Sequence, residues 1–151
     1  EKALAWDVAR WGGAYFLPLY EKTHRRRGRS WKAVLPLFPG YVFLCGDEQQ
    51  RSRALETRRI ANVIPVLDQQ GLIRELSGIQ RMLASGLTVD QFPGLRRGQH
   101  CRVRSGPLAD LEGRIERRAG RTRFIVNVDI LGQAAAVEID ADLLQPITER
   151  R

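Results

Sequence analysis

Pro36-Leu37-Phe38-Pro39-Gly40-Tyr41-Val42-Phe43 decides how the first half of this 151-residue chain is read. Two prolines and a glycine punctuate a dense apolar run. Pro39-Gly40 sets a sharp turn, and residues 40–45 then read as a strand whose side chains alternate between two faces. Tyr41 and Phe43 share one face; Val42 and Leu44 share the other. Upstream, residues 14–20 and 30–35 read as two strands joined through a basic tip, His24-Arg25-Arg26-Arg27-Gly28-Arg29. Pro18 marks an edge or bulge in the first of them. Residues 1–12 read as an amphipathic helix, with Leu4, Val8 and Trp11 spaced four and three apart and Gly12-Gly13 at its end. Downstream, Asp47 is a plausible N-cap for a helix over residues 48–58. Residues 62–67 read as a strand and residues 76–85 as a helix with Leu76, Ile79, Met82 and Leu83 in a stripe.

From residue 98 the chain changes character. Residues 101–103, 113–118, 122–130 and 134–139 read as four short strands. Gly106-Pro107, Ala119-Gly120 and Leu131-Gly132 are the turns between them, and residues 142–147 close the set. Such spacing predicts a small β-barrel. In residues 122–130 the alternation predicts Phe124, Val126, Val128 and Ile130 inside. Ile125 is then expected to point outward between Arg123 and Asn127, as a partner contact. The β-branched content argues against a helical form of this region. The expected fold class is thus α+β: an intermixed first domain over 1–86, a linker over 87–97 and an all-β domain over 98–151.

The net charge is +8 and the isoelectric point about 10.5, which points to a polyanionic partner. Residues 1–86 carry 14 Lys and Arg against 8 Asp and Glu, so most of the excess lies in the first domain. Of the 25 basic residues 22 are Arg, the side chain that binds phosphate through two parallel hydrogen bonds; a GC-rich genome produces the same bias. Two cysteines, Cys45 and Cys101, leave a single disulfide open as an alternative to two reduced, buried thiols, and the second is the expectation. No Cys/His cluster suggests a metal, and no nucleophile set or phosphate loop suggests an enzyme or a cofactor. His24 and His100 carry no visible chemistry. No run has the length of a membrane span and no signal-peptide pattern opens the chain, so a cytoplasmic, monomeric protein without a membrane role is expected.

Two segments taken together carry a resemblance. The first is the Pro36–Phe43 run. The second is Gly98-Gln99-His100-Cys101-Arg102-Val103-Arg104-Ser105-Gly106-Pro107, followed by Glu112-Gly113-Arg114-Ile115. In this order they resemble the NGN core and the KOW motif of the NusG family of transcription elongation factors. The wording of Ser105 to Gly113, of Ala136 to Ala141 and of Leu83 to Leu87 is similar to a specialised antiterminator branch, that of UpxY, RfaH and LoaP. An NGN domain opens with a strand ahead of its first helix. This chain lacks it, and a longer native chain is the expectation.

The resemblance implies roles for particular residues. Tyr41 and Phe43 match aromatics that line an apolar depression for the clamp helices of RNA polymerase's largest subunit. Ser52 and Arg53 match the register at which RfaH reaches the other large subunit. Arg25, Arg26, Arg27 and Arg29 at the tip would contact non-template or upstream DNA through phosphates, extended by Arg10, Arg58 and Arg59. Asp7, one turn before Arg10, argues against sequence-specific reading there. Ile125 and Arg123 would meet the KOW partner, a small-subunit ribosomal protein or Rho. Pausing and termination would be suppressed by holding the elongating conformation, without catalysis. Two rivals remain: a KOW-containing ribosomal or RNA-binding protein, and a nucleic-acid module acting without polymerase.

Overall fold

A computed structural model describes residues 1–93 and 98–148. The chain separates into two compact units, Glu1–Pro65 and Val66–Arg151. The first begins with helix α1 (Lys2–Arg10), which buries Leu4, Ala5 and Val8. Strand β1 (Ala14–Phe16) pairs antiparallel with β4 (Phe43–Cys45). Between them, β2 (Leu19–Arg26) and β3 (Arg29–Pro36) form a separate antiparallel hairpin. Leu37 and Phe38 follow directly and are the largest fully buried side chains of this unit. The Pro39-Gly40 turn is closed by Tyr41 N–H donating to the Phe38 carbonyl at 3.2 Å. Gly40 N–H donates to the Glu1 carboxylate, which ties the turn to the start of α1. Helix α2 (Glu48–Glu56) is held at its start by a capping box between Asp47 and Gln50, so the expected N-cap is the observed one.

The second unit begins with α3 (Gln69–Ala84), then β5 (Val89–Pro93), β6 (Gln99–Val103), β7 (Glu112–Arg118), β8 (Arg121–Val128), β9 (Gln133–Glu138) and β10 (Leu144–Pro146). The strands form one antiparallel sheet in the order β10-β6-β7-β8-β9-β5. Short 3-10 turns cover Asp129–Leu131 and Ala141–Leu143. Residues 99–146 thus carry strands and no α-helix, in agreement with their β-branched content.

Several expectations change. Tyr41 and Val42 precede the strand rather than belong to it, because β4 pairs with β1 only from Phe43 to Cys45. The strand expected over 62–67 is irregular chain. It pairs with neither open edge of the β1–β4 sheet, and Val63, Ile64 and Leu67 stay exposed. Helix α3 starts seven residues before the expected position. Asp68 accepts the Gly71 N–H at 2.9 Å, and a side chain at Gly71 would collide with that carboxylate. Gly71 therefore makes room for the cap.

The division also falls elsewhere than the expected linker. Helix α3 lies against β8, with Gly78 beside Leu111 and Val126, so it groups with the sheet. Strand β5, inside the expected linker, pairs with β9 from Val89↔Val137 to Pro93↔Gln133; residues 94–97 of that linker lie outside the described residues. The added strand explains a further correction. Ile125 is fully buried, clustered with Phe92, Ala134 and Ala136. Alternation does put it opposite Phe124, Val126 and Val128, but the small alanines and Phe92 make that second face apolar as well. Ile130 lies past the strand, in a 3-10 turn.

Candidate nucleic-acid and protein interface

The β2–β3 hairpin is joined by two residues, Arg27 and Gly28, with φ of 50° and 75°. Positive φ at both positions is the type I′ geometry whose twist matches that of paired strands. Gly28 adopts it freely. Arg27 does so at a cost of roughly 1–2 kcal/mol, although the turn would accept asparagine or glycine. Register runs without a slip from Leu19↔Pro36 to Arg26↔Arg29. Arg25, Arg26, Arg27 and Arg29 are all exposed at this end, and among the described residues none of them forms an ion pair. Nearer the base, Lys32 bridges Glu21 at 2.7 Å, which raises the lysine's pKa through that hydrogen bond and charge. Lys2 donates to the Val34 carbonyl at 2.6 Å and fixes the hairpin to α1.

The other predicted arginines form a second group beside the C-terminal end of α1. Arg10 is exposed in the last turn. Arg59 donates its Nε to Asp7 at 2.7 Å. Asp7 therefore has its charge balanced, and Arg59 is a structural tie rather than a free cation. Arg58 is exposed, with φ of 56° just past the α2 cap. Arg53 stacks its guanidinium over the Trp11 ring at 4.9 Å, linking α2 to the end of α1, while Ser52 is exposed beside it.

Tyr41 and Phe43 are half-buried. Phe43 is paired in register with Phe16, ring centroids 6.2 Å apart and tilted by 43°. Leu44, on the opposite face of β4 and paired with exposed Tyr15, lines a cavity of about 170 Å³ together with Val8, Trp11, Ile60 and Val63. Neither Tyr41 nor Phe43 lines this cavity. In the second unit Arg123 is half-buried, its guanidinium 5.9 Å from the Phe92 ring. Ile125 is unavailable to a partner there.

One residue that sequence reasoning passed over stands out. Trp31 pairs with His24 across the hairpin, their rings stacked at 5.5 Å and 15°. Counting outward from the two-residue turn gives that pairing directly, so the signal was present in the chain. Cys45 and Cys101 are free thiols; Cys45 is exposed, contrary to expectation, and Cys101 is buried. Among the described residues, no group of His, Cys, Asp or Glu is placed to hold a metal ion, and no helix is long and apolar enough to cross a membrane.

The units thus define a mixed helix-and-sheet protein with a cation-tipped β-hairpin. The transcription termination/antitermination protein NusG of Thermus thermophilus is 30% identical over 138 residues, spanning 82% of this chain and 75% of the relative. The chain belongs to the NusG family. No family model matches it, and no solved structure does.

Proposed function

We propose that this chain is a transcription elongation and antitermination factor that docks on RNA polymerase through its first unit. The observation that carries this reading is the 30% identity to a termination/antitermination protein across most of the chain. The half-buried Phe16–Phe43 pair and the half-buried Tyr41 supply apolar surface suited to the clamp helices. The four unpaired arginines of the hairpin would lie along non-template or upstream DNA, with Arg10 and Arg58 as a separate cationic group. Ser52 and Arg53 are candidates for a second polymerase contact, since both are exposed on α2. In this reading the first domain is NGN-like, the strands from β6 to β10 form the KOW barrel, and Arg123 belongs to the surface that meets a ribosomal protein or Rho. The specialised UpxY- or RfaH-like branch rests on sequence wording alone. Action would be a population shift: binding the elongating conformation about 1.4 kcal/mol better than the paused one changes their ratio tenfold.

The test is binding to purified polymerase with and without its clamp helices. Tyr41→Ala/Phe43→Ala is expected to weaken binding at least about tenfold with an unchanged circular-dichroism spectrum. Binding that survives removal of the clamp helices would refute the docking site. No polymerase binding together with retention on free DNA would favour a nucleic-acid module, a rival that the unpaired arginine tip also suits.

A further inference from the structure

Cross-strand pairing sorts the hairpin side chains onto two faces. Tyr20, Lys22, His24 and Arg26 share one face with their partners Leu35, Ala33, Trp31 and Arg29. At the middle of this face lies the His24–Trp31 stack. Toward the tip it is followed by the Arg26–Arg29 pair, toward the base by Lys22. Each step is two residues, about 7 Å along the strand, within the span of an extended Arg or Lys side chain.

The stack does not serve the core. The buried apolar residues of this unit are Leu4, Ala5, Val8, Pro18, Leu37, Phe38 and Ala54, and none belongs to the hairpin. Trp31 remains 48% exposed. Stacking occupies one face of each ring, so indole surface stays open to solvent. An exposed aromatic column bracketed by unpaired cations suits a ligand that is flat and apolar at its centre and anionic on either side. A protein helix presents a π-face or a run of negative charge only where its side chains happen to supply them, whereas a nucleic-acid strand repeats both at every nucleotide. Duplex DNA offers the charge but keeps its bases stacked inside. An unpaired strand presents both.

We propose that this face of the hairpin is a stacking platform for unpaired bases of single-stranded DNA. Trp31, backed by His24, takes the base, and Arg26, Arg29 and Lys22 neutralise the flanking phosphates. The proposal rests on the reading of the hairpin as a DNA-contacting arm and deepens it from charge attraction to selection of melted over paired DNA. Because every base has a π-face, the platform is tolerant of sequence.

The experiment uses the whole chain and fluorescence anisotropy with four probes of equal length: oligothymidine, oligouridine, an oligomer with the same phosphates but abasic sugars, and duplex, to which weaker binding than to oligothymidine is expected. Wild type is expected to bind oligothymidine about tenfold more tightly than the abasic strand. Trp31→Ala should bind both at the abasic level, with its salt dependence unchanged. Trp31→Phe should keep most of the discrimination, which separates lost stacking from a damaged hairpin. Arg26→Ala/Arg29→Ala should lower the salt slope by about 1–2. Equal wild-type binding to thymidine and abasic strands would overturn the platform, as would discrimination that survives in Trp31→Ala. Tenfold preference for oligouridine over oligothymidine would overturn its assignment to DNA. A chain that discriminates through Trp31 but does not bind polymerase would refute the polymerase reading and leave the platform standing.

Discussion

Replacing Glu75 with Gln is expected to stabilise the second unit above pH 7 and to change nothing near pH 4.5. Glu75 lies half-buried on α3, its Oε1 accepting the Asp129 N–H at 3.4 Å. Burial pushes its pKa from the ordinary 4.5 to about 7; the Asp129 N–H opposes this, and the charges of Asp129 and Asp68 add to it. The folded chain therefore keeps the proton that the unfolded chain releases near pH 4.5. Stability is greatest below that value, falls as pH rises toward 7, and stays at the lower level beyond. Full conversion of that difference gives an upper bound of about 3 kcal/mol; solvent access to a half-buried side chain reduces it to about 1–2 kcal/mol. In a domain of this size that corresponds to roughly 5–10 °C in Tm. Glutamine keeps the Oε1 acceptor and removes the charge. Thermal unfolding of both proteins at pH 4.5, 6, 7 and 8 isolates the effect, because all other titrating groups are shared. A Tm difference independent of pH, or one largest at low pH, would refute the reasoning.

Two further predictions concern burial. Ile125→Ala is expected to cost about 2–5 kcal/mol in urea unfolding, as for a packed core residue. An outward-facing isoleucine would change stability by about 0.5 kcal/mol or less. The thiols should react unequally with an aromatic disulfide reagent at pH 8. Burial pushes the Cys101 thiol up to about 11, while Cys45 is exposed, so one equivalent should react rapidly in the native protein and two in denaturant. Rapid reaction of both in the native state would contradict the packing around Cys101.

Local chemistry was legible where the deciding interaction is close in sequence. The Asp47 cap, the basic turn at Arg27-Gly28 and the run of strands after residue 98 all follow from residues a few positions apart. What failed was set by distant partners. Residues 62–67 have strand composition but pair with no strand. Ile125 obeys alternation, yet its outward face is covered because Phe92, more than thirty residues earlier, pairs across from Ala134. The stripe of α3 showed that one face is buried but not that β8 lies against it. Asp7 and Arg59 read as a repulsive and an attractive charge until the fold puts them 2.7 Å apart.

The hairpin itself argues for an anionic partner more strongly than the net charge does. A two-stranded ribbon with mostly exposed side chains on both faces is marginal in water. This one is held by its turn, the Lys32–Glu21 bridge, the His24–Trp31 stack and the Lys2 anchor. Yet at the end farthest from that anchor the chain gathers four arginines, one of them in a backbone conformation that costs roughly 1–2 kcal/mol. Like charges on adjacent strands repel, so each cation destabilises the element that presents it. Solubility alone would be served by charges of mixed sign. Under the proposed reading, phosphates interleaving with the guanidinium groups would offset that repulsion. The proposed single-stranded DNA partner would thus turn a destabilising charge cluster into the feature that binds.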